Sequence, residues 1–159
     1  MKIFPESDFS IELNNDRISA ILELKKHTLS KEQFVANWNK QTFIGEIREN
    51  EFEIKFSKKL LGEFCVLNGK LENKKGRLKI RTGIILKIIF LAMVLFCLSG
   101  IIVSIIENKL DVIFDMVMTI LGMRFIFLEL GFRLASKIML NKLTEVIGIK
   151  KINVSQKPL

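Results

Sequence analysis

Few side chains in this sequence are spaced for catalysis or for binding a metal. His27 is the only histidine among the 159 residues, and the two cysteines, Cys65 and Cys97, are far apart in the chain. The sequence therefore contains neither the Cys/His spacing of a zinc site nor a histidine–carboxylate arrangement that favours nucleophilic catalysis. We expect no enzymatic activity, no catalytic residue, no cofactor and no metal, and we interpret both cysteines as small buried apolar residues.

The glycines and glutamates of the first half also have simpler explanations than ligand binding. Gly62, Gly69 and Gly76 recur every seven residues, which suits turns and strand ends better than a phosphate-binding loop. Glu51 and Glu53 alternate with apolar residues, so both should point into solvent from one strand. These residues predict strands and turns.

Four ionisable residues are more informative because they lie within or beside a long apolar segment: Asp115, Arg124, Glu129 and Arg133. Charged groups in hydrocarbon are costly unless they are paired or hydrated. At about 100° per residue, Asp115, Glu129 and Arg133 share one helix face and Arg124 lies on the opposite side. Glu129 and Arg133 can pair, since they are one helical turn apart. Two interpretations stay open: anchoring with local pairing, or contact with another subunit or a hydrated path in a homo-oligomer.

Two apolar segments dominate the second half of the chain. Residues 83–106 contain a single charge, Lys87, and a helix of about 20 apolar residues is long enough to cross a bilayer. A second apolar segment, 112–131, follows the short polar turn 107–111. Because a chain in lipid must satisfy its backbone hydrogen bonds internally, this pattern predicts an antiparallel transmembrane helical hairpin.

Basic residues flank the predicted hairpin, and its turn holds only Lys109. One group precedes the hairpin (Lys70, Lys74, Lys75, Arg77, Lys79, Arg81, Lys87) and another follows it (Arg133, Lys137, Lys142, Lys150, Lys151, Lys157). This asymmetry explains the net charge of +8 and predicts that both termini are cytoplasmic. Aromatic residues do not alternate with the basic ones, so we expect no nucleic-acid partner.

Membrane lipids are the first expected partner. Basic side chains beside a membrane span attract anionic headgroups. We expect Lys79, Arg81, Lys87 and Lys137 to make these contacts. The start of the chain lacks the apolar core of a cleavable signal peptide, so the hairpin itself should direct insertion.

Residues 1–82 predict a small cytoplasmic α+β domain with the element order β-α-β-β-β-β. The period-two segments are 9–13, 42–48, 51–56, 63–71 and 77–81, the helix covers 16–27, and 28–40 and 58–62 are expected loops. The expected core is formed by Phe43, Ile47, Phe52, Ile54, Phe56, Phe64, Val66, Leu78 and Ile80, with Ile18, Ile21 and Leu22 from the helix.

Residues 132–159 predict an amphipathic basic tail. Apolar residues recur at helical spacing from Leu134 to Ile147, and Arg133 and Lys137 lie on the other side. This helix either lies on the lipid surface or covers the small domain.

The chain resembles a group of small, uncharacterised bacterial membrane proteins. The resemblance rests on F-I-G-E-I-x-x-N-x-F-E-I (43–54), V-L-N-G-K-L (66–71) and G-R-L-K-I (76–80) before a hydrophobic hairpin. It implies a multi-pass protein of the bacterial inner membrane. The architecture is also similar to that of anti-phage effectors that join a β-rich sensor to two membrane helices in the reverse order.

Two classes of function follow from these features. The leading hypothesis is a non-enzymatic integral inner-membrane protein that presents a membrane-apposed cytoplasmic interaction domain to an unknown protein partner. The alternative is a membrane sensor-effector, in which a ligand or partner triggers oligomers that perturb the membrane, as in phage defence. An immunity-type protein is a further alternative.

Overall fold

Seven strands form one mixed sheet that helices cover on one face. The computed structural model describes residues 3–30, 41–57 and 59–154. Its elements are β1 (Glu6–Leu13), α1 (Arg17–His27), β2 (Thr28–Ser30), β3 (Phe43–Ile47), β4 (Glu51–Phe56), α2 (Lys59–Phe64), β5 (Val66–Glu72), β6 (Lys75–Arg81), α3 (Ile84–Ile106), α4 (Leu110–Gly122), a π-helical segment (Met123–Leu130), α5 (Gly131–Ile147) and β7 (Ile149–Val154). The fold is α+β, as the sequence predicts.

The strand order across the sheet is β2-β3-β4-β5-β6-β1-β7. Neighbouring strands are antiparallel except for β2 and β3, which are parallel. Arg81, at the end of β6, lies opposite Glu6 of β1 and Val66 of β5. Because β6 leads directly into α3, this end of the sheet is the one nearest to the helical hairpin.

Two short elements replace the loops that the sequence predicts. Thr28–Ser30 extends as β2 beside β3, and Lys59–Phe64 forms α2. Neither is long enough for a strand or helix period to be recognised in the sequence. The rest of the first predicted loop, residues 31–40 with Trp38, lies outside the described residues.

The core lies between the covered face of the sheet and helices α1 and α5. It contains Ile11, Leu13, Ala20, Ile21, Leu24, Phe43, Phe52, Ile54, Phe56, Cys65, Leu67, Leu71, Leu78, Ile80, Phe132, Ala135, Met139, Leu143, Ile147 and Ile149, with Ile47 and Phe64 partly buried against it. Most of the expected strand residues are therefore in the core.

Three of the expected core residues lie outside the core. Val66 lies on the other face of β5, because its neighbour Leu67 points into the core. Ile18 and Leu22 are exposed, because α1 turns Ala20, Ile21 and Leu24 toward the sheet. The expected helix exists, but its inward face is rotated.

Residues of the predicted tail supply both a helix and a strand to this core. Helix α5 covers the sheet and ends at Gly148, whose positive φ of 69° and N–H bond to the carbonyl of Thr144 form a left-handed cap. Strand β7 then pairs with β1. The sequence did not predict β7. Glu12 pairs with Lys151 and Leu13 with Ile149, so Lys150 is an extra residue that interrupts the alternation of the strand.

Helices α3 and α4 form an antiparallel hairpin. Gly100 of α3 lies beside Met116 of α4, whereas Phe90 and Met123, nearer the sheet, line one small cavity. A tight turn joins the helices, with Asn108 at φ 56°. From Leu110 the helical backbone continues through the π-helical segment into α5.

Candidate functional site

The outer surface of the hairpin is apolar. Among the described residues one helix, α3, is long and apolar enough to cross a membrane, and only 17% of its most apolar window is buried. Exposed large apolar side chains continue along α4 and the π-helical segment, including Phe114, Met118, Leu121, Phe125 and Ile126. Large contiguous apolar surfaces mark sites of contact with a membrane or another protein. This surface is the first feature that a function must explain.

Three of the four predicted ionisable residues meet at the base of this hairpin. Nη1 of Arg124 lies 3.3 Å from Oε2 of Glu129, and Nε of Arg133 donates to Oε1 of Glu129 at 3.0 Å. The Arg124 side chain is 15% exposed and that of Glu129 29%, whereas Arg133 is 72% exposed. One carboxylate therefore holds two guanidinium groups, and the cluster carries a net positive charge.

The expectation that Arg124 and Glu129 lie on opposite sides of the helix is wrong. It assumed α-helical geometry, but residues 123–130 are π-helical, and a π-helix bonds residue i to residue i+5. Arg124 and Glu129 have this spacing and share a face. Their opposite charges five residues apart are the sequence signal for the pair. The Glu129–Arg133 pair forms as predicted.

A second apolar cluster joins the hairpin to the domain. Leu86, Phe90 and Leu128 are buried there, and Phe4 and Phe64 pack against them. The rings of Phe4 and Phe90 meet edge to face at 5.9 Å. Because Phe64 also packs against the main core, the base of the hairpin and the sheet form one continuous packed unit.

The four expected headgroup contacts have different surroundings. Nζ of Lys87 lies 5.4 Å from the centre of the Phe4 ring at the hairpin base, and Lys137 is exposed on α5. Lys79 and Arg81 instead face acidic residues on the open side of the sheet, with Lys79 Nζ 3.4 Å from an oxygen of Glu6. Their contact with lipid stays a prediction.

Asp115, the last of the predicted intramembrane residues, is separate from this cluster. It is exposed one turn into α4, near the turn of the hairpin, and its backbone carbonyl accepts a hydrogen bond from Thr119. The structure therefore brings together Arg124, Glu129 and Arg133 and leaves Asp115 at the opposite end.

The face of the sheet opposite the helices is polar and forms an open groove of about 910 Å³. Its polar lining residues are Asp8, Ser10, Glu46, Arg48, Glu51, Glu53, Asn68, Lys70, Arg77 and Lys79. Cross-strand pairs order this surface: Lys70 contacts Glu51 at 3.0 Å, and Asn68 donates to Glu53 at 2.9 Å and accepts from Arg81 at 2.9 Å. The groove thus presents fixed charges of both signs.

Neither Cys65 nor His27 lines this groove. Cys65 is fully buried, and burial raises the pKa of its thiol from the usual 9.0 to about 12, so it is a poor nucleophile. His27 is the exposed last residue of α1, beside Lys25 and Lys26 in its final turn. Within the described part of the chain, no three His, Cys, Asp or Glu side chains are grouped to hold a metal ion.

No protein-family model, no curated protein and no solved structure matches this chain. The structure itself offers three candidate features: the apolar hairpin, the charged cluster at the hairpin base and the polar groove.

Proposed function

We propose that this protein is a membrane-anchored interaction module. The hairpin crosses the bilayer and holds the sheet at the membrane surface, where the polar groove binds a protein partner. The observation that carries this proposal is the exposed apolar hairpin that continues without a linker into β6 on one side and α5 on the other. The domain is therefore fixed next to the membrane.

The dimensions of the hairpin support a transmembrane position. From Ile88 to Ile106 a helix rises by about 28 Å, close to the ~30 Å thickness of the hydrocarbon core. Most charges lie at the ends of this length: Lys87 and the Arg124 cluster near the sheet, and Glu107 and Lys109 at the turn. Asp115 is the exception, since it is exposed further along α4, next to Met116, which lies beside Gly100. This distribution matches a slab of hydrocarbon between two polar boundaries.

The basic residues support an orientation with both termini in the cytoplasm. They are concentrated on the side of the sheet, while the turn holds only Lys109. Together with the resemblance to small bacterial membrane proteins, this distribution favours the bacterial inner membrane and a two-span topology.

The open face of the sheet supports the interaction role. An antiparallel sheet can leave one face in water, so the polar side chains alone do not require a partner. The groove nevertheless combines a volume of about 910 Å³ with charged side chains of both signs. This mixture suits a polypeptide partner with complementary charges, and the domain's position beside the bilayer would bring that partner to the membrane.

Two measurements on the full chain test the proposal. Extraction of membranes with alkaline carbonate should leave the protein in the pellet, and recovery in the supernatant would contradict the anchor. A photocrosslinking residue at Ser10, in the groove, should give a discrete adduct that Glu51→Lys removes. The control position is Asn141, exposed on the helical side. Equal adducts at both positions would contradict the assignment of the groove.

The sensor-effector function is the second candidate, and the π-helical segment favours it. Segments of this kind are rare and occur frequently at functional sites, and here the segment joins the hairpin to the domain. In this case the hairpins of several copies would assemble when the domain binds its ligand or partner. If crosslinking in cell membranes finds only monomers, with and without the ligand, this candidate is excluded.

A further inference from the structure

We propose that the outer face of α5 carries a binding site for the phosphate headgroup of an anionic phospholipid, formed by Arg133 and Lys137. This site rests on the proposed membrane position of the hairpin. It differs from general attraction to a charged surface, because it assigns the headgroup to two named side chains on one helix.

One exposed face at the start of α5 combines basic and apolar side chains. Leu130, Arg133, Leu134 and Lys137 follow the spacing of a single helix face, and all four are exposed. The opposite side of the same helix is buried against the sheet. Leu130 continues the exposed apolar surface of the hairpin, so this face begins where the surface in contact with lipid ends.

The direction of the helix aims these side chains at the membrane. Side chains on a helix lean toward its N-terminus, and the N-terminus of α5 adjoins the hairpin. Arg133 and Lys137 therefore lean toward the end of α5 at which the proposed bilayer lies. The side chain of Lys87 leans toward the same end, because the N-terminus of α3 also lies there.

Arg133 is oriented for phosphate by its bond to Glu129. The hydrogen bond uses Nε of Arg133, so it leaves N–H groups on the two terminal nitrogens of the guanidinium for another acceptor. A guanidinium presented in this way suits a phosphate oxygen pair. Glu129 is already shared with Arg124, and the cluster with Lys137 stays positive.

The chemistry of α5 favours a lipid over a protein as the occupant. The only acidic residue between Gly131 and Ile147 is Glu145, which lies about two turns beyond Lys137. The two leucines beside the basic pair suit the glycerol and upper acyl region of a phospholipid, and the face is continuous with the apolar hairpin. A basic and apolar face of this kind is typical of helices at anionic membrane surfaces.

Native mass spectrometry of the full chain in mild detergent can test the site, with phosphatidylglycerol and phosphatidylcholine titrated separately. The wild type should prefer phosphatidylglycerol. Lys137→Gln should weaken that preference about fivefold, and Arg133→Gln with Lys137→Gln about 25-fold, since each basic side chain near the surface contributes about 1 kcal/mol. The matched control is Lys142→Gln on the same helix, where Lys142 pairs with Glu145, and it should keep the wild-type preference.

The outcomes separate this site from the anchor. Reconstitution into lipid nanodiscs is a separate test of the anchor. An unchanged lipid preference in the double variant, or an equal loss in Lys142→Gln, would overturn the site even if the protein enters nanodiscs. Failure of the wild type itself to enter nanodiscs would instead overturn the proposed transmembrane hairpin. Because the Lys137 side chain is exposed, Lys137→Gln tests the site without disturbing the core.

Discussion

Replacing Glu129 by glutamine should destabilise the protein more than replacing either of its arginine partners. Arg124 is 15% exposed and has Glu129 3.3 Å away, so the variant removes a carboxylate that a sparsely hydrated cation contacts. Removing one member of a fully buried ion pair costs about 3–5 kcal/mol. Because the Glu129 side chain is 29% exposed, we expect a smaller loss of about 2–3 kcal/mol in the free energy of unfolding.

The two arginines should differ from Glu129 in a defined order. Arg133→Gln should cost less than about 1 kcal/mol, because Arg133 is 72% exposed and its pair resembles a surface ion pair. Arg124→Leu should also be mild, since Glu129 keeps Arg133 as a partner. In the Arg124→Leu background, Glu129→Gln should cost about 1–3 kcal/mol less than in the wild type.

The assay is unfolding of the full chain in mixed micelles, with SDS as the denaturant and helical circular dichroism as the signal. Each free energy of unfolding is compared across the double-mutant cycle of Arg124 and Glu129. If Glu129→Gln costs the same with and without Arg124, the pair across the π-helical segment contributes nothing and the reasoning is wrong.

Three further changes test the packing of the domain. Phe52→Ala should lower the free energy of unfolding by about 3–5 kcal/mol, because Phe52 is buried in the core; unchanged resistance of the domain to proteolysis would contradict its placement. Gly83→Ala should destabilise the junction between β6 and α3, since a Cβ at Gly83 would collide with the backbone carbonyl of Glu63. Gly122→Ala is the control, because its Cβ meets open space, and it should be neutral or stabilising by up to about 1 kcal/mol. Equal unfolding midpoints of the two variants would refute this. The raised pKa of Cys65 means that its thiol ionises at a lower pH in the unfolded chain than in the folded protein. Between pH 9.0 and about 12, the wild type should therefore lose up to about 1.4 kcal/mol of stability per pH unit relative to Cys65→Ala. Parallel plots of stability against pH for the two proteins would show that the thiol is not buried.

The sequence predicted elements whose periodicity is long and regular. The alternation of Phe52, Ile54 and Phe56 gave the bounds and the inward face of β4, because a strand with one buried face must alternate. The apolar run of α3 was equally plain. These patterns depend only on local spacing, so no tertiary information was needed to recognise them.

Other features depended on tertiary contacts that no local pattern contains. The π-helical geometry that joins Arg124 to Glu129 breaks the α-helical period on which their faces were assigned. Leu134 and Ile138 fit the apolar spacing of an inward face, yet both are exposed, because the sheet contacts the side of α5 that carries Met139. For the same reason β7 appeared only once its pairing with β1 was known.

Thiol labelling of one introduced cysteine at a time, in intact cells, tests the transmembrane hairpin most directly. Glu107→Cys lies in the turn and Lys151→Cys on β7, and both sites are exposed. The wild type is the control, because Cys65 and Cys97 are buried. A membrane-impermeant maleimide should label Glu107→Cys from outside the cytoplasmic membrane and Lys151→Cys only after permeabilisation. Labelling of both positions from the same side would contradict a hairpin that crosses the bilayer.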